Sequence, residues 1–407
     1  MEKIEKLPVL VGLGLCFGVL MWLAPYIGMV SVLLPAKVAV LDPQNKASII
    51  ALNASISMVI ATLSNIIIGA MSDLTRSRFG RRTPWIILGA IGSFISIFCI
   101  HSSTSVSTLI LSWAIYQVFL NAIVAPLIAV ISDAVTDKYR GRISSFYAVG
   151  MGAGGYIGQM IGAKFLINYE VGIIVMACIT LASGFVSTLL IREKSNVHIE
   201  RKEFSKDMLI SNFSIPLKNC RDYYLALFGK MMIIIAKYIP QGFMLYLFTD
   251  FLLVSDKSVI SSYILKMSMI TLILSMALAA ISGYVADKIK RFKIPVVISC
   301  IIVAIGLFIP QYFATPDSLI VYSVFLGLGV GVFNSVDQAL NVEVLPNKET
   351  AAKDMGILNL SNTGGQILGP VAAAAIINAF GYHYLFMLAA VSALLGGAII
   401  LFIRSVK

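Results

Sequence analysis

The sequence predicts an all-α polytopic membrane protein with 12 transmembrane helices in two pseudo-symmetric six-helix bundles. Three observations predict it: composition, the number of apolar stretches, and an internal repeat. Of the 407 residues, 58% are hydrophobic and 13% are charged, with a mean hydropathy of +0.91. Soluble domains carry about 25% charged residues, and one globule of this composition has too little polar surface to face water. A soluble enzyme is excluded. The formal net charge of +11 is diluted among apolar runs and forms no basic domain for nucleic acid.

About 20 apolar residues cross a bilayer as helix. Twelve stretches qualify: 7 to 36, 47 to 71, 84 to 101, 107 to 132, 143 to 168, 172 to 191, 224 to 252, 262 to 285, 294 to 313, 318 to 345, 355 to 380 and 383 to 403. The first is too long for a signal-peptide core and shows no small-residue cleavage site, so it is expected to be a retained span. The polar stretch Arg192 to Asp222 separates two groups of six. The expected division is 1–191, a cytoplasmic central loop 192–222, and 223–407.

An even number of spans puts both termini on one side. Of the 31 Lys and Arg, 24 fall in the alternate segments that include the termini. Five fall opposite (Lys37, Lys46, Lys164, Lys257, Lys266), and Lys230 and Lys237 lie within a span. The positive-inside rule then places both termini in the cytoplasm of a multi-pass protein of the plasma (inner) membrane.

Shifting the sequence by 214 lays Gly69 to Asp73 on Gly283 to Asp287, each at a span end, before a basic cluster and a proline, Pro84 or Pro295. At an offset of 210, Asp133 falls on Glu343 and Gly154-Gly155 on Gly364-Gly365. Ordered matches of this kind indicate repeated halves, as in transporters built around a central site.

The loop from span two to span three reads Gly69-Ala-Met-Ser-Asp73-Leu-Thr-Arg76-Ser-Arg78-Phe-Gly80-Arg81-Arg82-Thr-Pro84. An Asp at a helix C-terminus opposes the macrodipole and requires a cation or another helix N-terminus nearby. Gly80 permits a tight reversal and Pro84 suits a first helical turn. A plain positive-inside loop is the alternative reading of the four arginines.

This loop resembles the signature of the major facilitator superfamily, and in detail the form found in sucrose transporters and the glycoside-pentoside-hexuronide:cation symporters. The resemblance spans the whole chain, with a weaker copy at Gly283, Asp287 and Arg291. It implies a cytoplasmic gate in which Asp73 engages the start of span eleven near Asp354 and Asp287 the start of span five near Arg142. Melibiose-type sodium symporters carry two aspartates in span two where this chain has Ala61 and Asn65, so a sodium site of that kind is not implied. Sucrose transporters carry an arginine shortly after a span-four proline, where Pro126 here precedes Leu127 and Ile128, so sucrose is not implied either.

Ionisable groups within spans are costly and default to functional candidates. Lys230 and Lys237 lie about 10 Å and about 21 Å beyond Tyr223, two turns apart on one helix face. Asp337, about 13 Å before Pro346, lies at the depth of Lys230. Three readings stay open: a Lys230–Asp337 ion pair, proton carriage by Asp337, and substrate binding by Lys237. Asp250 reads as interfacial. The amides Gln117, Asn121, Gln241, Asn334 and Gln338, with Tyr26, belong to a polar set suited either to interhelical bonding or to a hydroxyl-bearing ligand. Gly150, Gly154, Gly158 and Gly162 recur every fourth residue, leaving a flat face for close packing.

Five scattered cysteines and three histidines form no metal-ligand spacing, and no nucleophile elbow or phosphate loop occurs. No enzyme activity, cofactor, metal or nucleic acid is expected. The sequence reads as a secondary active transporter using alternating access, with proton-coupled symport of a glycoside or small oligosaccharide. Its expected partners are a small polar solute (a sugar), a coupling proton and the lipid bilayer. Proton-driven efflux of a drug-like or anionic solute is the alternative, and a membrane sensor is the reading from outside transport.

Overall fold

The computed structural model describes residues 7–198, 220–289, 291–345 and 351–406. Among the described residues, twelve long helices follow one another. The first six are α1 (Val9–Leu41), α2 (Lys46–Leu74), α3 (Thr83–Ser102), α4 (Val106–Ala134), α5 (Asp137–Lys164) and α6 (Tyr169–Ile191). Then come α7 (Arg221–Gly242, continued by Met244–Tyr246 and Leu247–Phe251), α8 (Lys257–Ile289), α9 (Lys293–Tyr312), α10 (Pro316–Glu343), α11 (Ala351–Phe380) and α12 (Leu385–Leu401). Eleven are long and apolar enough to cross a membrane. The other, α5, has a polar first turn and a glycine-rich body that lower its hydropathy. Exposed apolar side chains such as Leu63, Leu189 and Ile273 give the helices a greasy exterior.

Several ends differ from the apolar boundaries. Helix α5 begins at Asp137 instead of 143 and stops at Lys164 instead of 168, α1 runs on to Leu41, and α8 begins at Lys257 instead of 262. Helices end where their terminal groups find caps, and polar residues continue a helix beyond its apolar core. Asp256 shows this: its carboxylate accepts from the Ser258 N–H at 2.7 Å ahead of α8, and the hydrogen bonds from Ser258 hold it below the usual carboxylate range.

The chain divides into two compact units, Met1–Asp42 with Val59–Phe204, and Pro43–Met58 with Ser205–Lys407. In the first, α1 packs on α5 and α6, and α3 on α4 and α6; in the second, α7 packs on α11 and α12, and α9 on α10 and α12. These four pairings recur six helices on, and the second unit adds the packing of α8 on α10. Caps repeat as well. Ser105 and Thr108 form a reciprocal capping box on α4, and 210 residues later the Thr315 hydroxyl accepts from the Ser318 N–H at the start of α10.

Missing side chains set the closest approaches. A Cβ on Gly158 would lie 1.9 Å from the Ala24 carbonyl oxygen, and one on Gly150 2.5 Å from that of Cys16, so α5 meets α1 backbone to backbone. In the second unit a Cβ on Gly229 of α7 would meet Ile400 of α12 at 2.6 Å, as one on Gly14 of α1 would meet Ile191 of α6 at 2.8 Å. Gly14 and Gly229 are 215 residues apart, and so are Pro25 and Pro240, which sit inside α1 and α7. Each proline is followed by a wider π-turn, Met29–Leu33 and Leu247–Phe251. Such turns mark functional regions of helices.

Gly158→Ala is expected to cost more than the ~1–3 kcal/mol of ordinary overpacking. Gly152→Ala, where an added Cβ meets nothing within 4 Å, should hold or raise stability by up to about 1 kcal/mol. Thermal unfolding of the two purified variants in detergent compares them directly; equal melting points would contradict the backbone contact.

Candidate functional site

The loop between α2 and α3 folds around one arginine. Arg82 is 3% exposed, and its guanidinium reaches three groups: the Asp73 carboxylate, the Ser72 hydroxyl, and Asp133 of α4, at 2.7 Å from Nε to Oδ2. The cation that Asp73 needs is thus Arg82 of its own loop. Arg81 pairs with the same Asp133, its Nε donating at 3.0 Å. Arg76 and Arg78 are exposed at the surface.

Two residues beyond α6 hold this loop from outside. The Glu193 carboxylate accepts from the N–H groups of Arg82 at 2.9 Å and Thr83 at 2.6 Å and from the Thr83 hydroxyl, so it caps α3. Asn196 accepts from the Ser77 N–H at 2.9 Å and donates to the Thr75 carbonyl at 2.8 Å. Gly80 takes the left-handed φ of +91°, and a Cβ there would lie 2.4 Å from Cβ of Glu193. Neither Glu193 nor Asn196 was expected from the sequence. The signal was present in the helix start: α3 begins Arg82-Thr83-Pro84 with no capping side chain of its own, so the cap had to come from elsewhere.

The weaker copy is only partly described. The side chain of Asp287 lies outside the described residues, Arg291 is exposed, and a Cβ on Gly283 would meet the Ser335 hydroxyl at 2.6 Å. A Cβ on Gly69 would meet nothing within 4 Å.

Within the first unit, α1, α2 and α4 assemble an aromatic and amide cluster. Tyr26 stacks on Trp113 with ring centroids 6.2 Å apart, and Trp113 lies 5.0 Å from Tyr116. Tyr26 also hydrogen-bonds the Gln117 side chain. The Asn65 amide donates to Asn121 at 3.0 Å, and Asn121 donates to the Gln117 carbonyl at 2.8 Å. Among the described residues, the Trp22 indole N–H, the Tyr116 hydroxyl and the Gln117 amide nitrogen are buried without a hydrogen-bond partner. Buried polar groups are normally paired, so this cluster has bonding capacity to offer a ligand or water. The sequence reading named Tyr26, Gln117 and Asn121 but not Trp113.

In the second unit, the Lys230 ammonium donates to Asp337 Oδ2 at 2.6 Å, and Asn341 donates to the same oxygen at 2.9 Å. Lys230 is 4% and Asp337 3% exposed. The other oxygens, Asp337 Oδ1 and Asn341 Oδ1, are buried with no partner among the described residues. Asn334 and Gln338 do not join this group; both are exposed on a neighbouring stripe of α10. Gln241 is partly buried beside the α7 break. Lys237 is partly buried with its ammonium 5.6 Å from the Tyr238 ring centre. Asp250 is no bare interfacial group: it pairs with Lys46 at 2.6 Å, and that ammonium lies over the Tyr246 ring. No group of three or more His, Cys, Asp or Glu among the described residues is placed to hold a metal ion.

The family model described as Major Facilitator Superfamily matches residues 15–352 and again residues 226–407. The chain belongs to the major facilitator superfamily. This superfamily member is accordingly a multi-pass membrane transporter of a small solute, and not an enzyme. No curated protein matches its sequence.

Solved structures are similar along nearly the whole chain. One is a bacterial homolog of the human lysosomal transporter Spinster in an inward-facing, unoccupied conformation, with 13% identity over 98% of this chain and 95% of that one and a TM-score of 0.66. A point mutant of the nucleoside transporter NupG shows 14% identity over 97% and 99%, with a TM-score of 0.74. A POT family transporter in complex with 5-aminolevulinic acid shows 15% identity over 96% and 95%, with a TM-score of 0.73. Identities this low speak for the fold alone.

Loss of the buried Arg82 guanidinium leaves its partners unpaired. Arg82→Gln is expected to cost about 1–3 kcal/mol, whereas Arg78→Gln at the surface should stay within about 0.5 kcal/mol. Thermal denaturation of the purified variants tests this, and equal shifts would show that the loop is held by something other than Arg82.

Proposed function

We propose that this transporter is a proton-coupled symporter of a glycoside or small oligosaccharide, working by alternating access. The buried group formed by Lys230, Asp337 and Asn341 carries the reading. A carboxylate held by an ammonium deep in a span can exchange its proton only when water or solute reaches it, which is the property that a coupling group requires. A proton on Asp337 cancels the attraction to Lys230 and loosens α7 from α10 within one unit. Removal of either partner leaves the other charge buried and uncompensated.

The solute class rests on the first unit. Stacked rings at Tyr26 and Trp113 suit the apolar faces of a sugar ring, and the amides of Asn65, Gln117 and Asn121 suit its hydroxyls. The loop resemblance to sucrose transporters and glycoside-pentoside-hexuronide symporters supports the same class. In this reading Gly69, Asp73, Arg76, Arg78, Gly80, Arg81 and Arg82, with Gly283, Asp287 and Arg291, form the cytoplasmic gate. Asp73 engages the start of α11 near Asp354, and Asp287 the start of α5 near Arg142, when that side is shut. Both termini lie in the cytoplasm, and the protein resides in the plasma (inner) membrane.

Proteoliposomes with an imposed inward proton gradient are expected to accumulate labelled disaccharides or hexuronides, and a protonophore should abolish the accumulation. Uptake indifferent to the protonophore would remove proton coupling, and flux only out of acidified vesicles would favour efflux. Asp337→Asn should lower accumulation to simple equilibration while solute exchange continues. Undiminished accumulation in that variant would take Asp337 out of the coupling step.

A further inference from the structure

Charge in the middle of the second unit's helices does not balance. Among the described residues, Asp337 is the carboxylate that lies well away from a helix end, and it is committed to Lys230 at 2.6 Å. Lys237 stands two turns further along α7 on the same face and makes no ion pair among the described residues. Other lysines within helices are accounted for: Lys46 pairs with Asp250, Lys37 donates to the His101 carbonyl at 2.8 Å, and Lys266 is exposed near the start of α8. At 1.5 Å per residue, Lys237 lies about 24 Å from Arg221 and about 21 Å from Phe251. Neither interface is within reach of its side chain, so snorkelling gives no relief.

A second observation falls at the same place. Pro240 and Gly242 interrupt α7 just beyond Lys237, and Gly369-Pro370 of α11 packs against that break. A Cβ on Gly369 would lie 3.0 Å from Cβ of Tyr238, and one on Gly242 3.8 Å from Cγ of Pro370. The break in α7 and the proline of the continuous helix α11 therefore meet near an ammonium with no ion-pair partner among the described residues. Interrupted helices near mid-membrane are where transporters hold charged cargo.

We infer that Lys237 docks a carboxylate of the transported solute, so that the cargo is a hydroxyl-bearing monoanion. The inference rests on the transport reading above and narrows its solute. One ammonium matches one negative charge; a phosphate dianion would call for a second cation, and Lys230 is already matched by Asp337. The arriving carboxylate supplies the counter-charge that the helices lack, and departure of the solute restores the unpaired state.

Reductive methylation of the purified full-length protein, followed by mass spectrometry of the Lys237 peptide, reads the site without reference to flux. Lys237 is expected to react in the protein alone. Glucuronate or acetate should slow its modification about tenfold when present at about ten times its dissociation constant, whereas glucose and galactose should not. Equal protection by the neutral sugars, no protection by either carboxylate, or a Lys237 that resists modification from the outset would each overturn the inference. Protection by inorganic phosphate exceeding that by glucuronate would overturn the monoanion.

Proteoliposome uptake separates the inference from the reading beneath it. Neutral-sugar uptake that survives Lys237→Gln undiminished overturns the inference and leaves transport standing. Carboxylate protection of Lys237 in a protein that moves no solute does the reverse. Lys237→Arg, which keeps the charge, should retain uronate uptake that Lys237→Gln loses.

Discussion

A peptide group inside a bilayer has no water to bond, so each N–H and C=O must find its partner within the protein. Everything distinctive in this chain follows from where that requirement is relaxed. Most of the helices run unbroken, and side chains of Ser105, Thr315 and Asp256 close the starts of α4, α10 and α8. The exceptions are α1 and α7, where Pro25 and Pro240 remove a donor and the helix widens within a turn or two. Matched positions in the two halves thus share the same irregularity, and Tyr26, the first-unit ring that stacks on Trp113, and Lys237, the second-unit amine with no ion pair among the described residues, lie within three residues of those prolines.

Close approach of helices and placement of polar groups are two sides of one arrangement. Where Gly150, Gly158 and Gly162 bring α5 against α1, there is no room for a side chain of any kind. Polar side chains collect instead on α4 and α10, the helices whose caps repeat at an offset of 210 residues. On α4 they are amides and rings with spare hydrogen-bonding capacity; on α10 the set is Asp337 and Asn341 against Lys230. The two repeats have the same scaffold and different chemistry, neutral in one and charged in the other.

Much of this was legible in the sequence because helix rise and apolar length are local quantities. The spans, the glycine face of α5 and the matching depths of Lys230 and Asp337 all come from counting residues along a helix. Helix ends were less legible, since a polar turn such as Asp137 to Arg142 continues the helix without adding hydropathy. Contacts between distant segments were not legible at all. Glu193 lies 110 residues beyond Thr83, and nothing about a glutamate after a span says which helix it caps. Asn334 and Gln338 share a helix with Asp337, yet a rotation of less than a quarter-turn about α10 separates an exposed stripe from a buried one.

The clasp by Glu193 and Asn196 also says where this polypeptide can be cut. A two-chain version divided immediately after Ile191 would strip α3 of its cap and free the loop around Arg82. A division placed after His198 keeps those contacts on the first fragment, which then carries every group that its own loop needs. Residues that look like the beginning of a linker are, by their bonding, the closing segment of the first half.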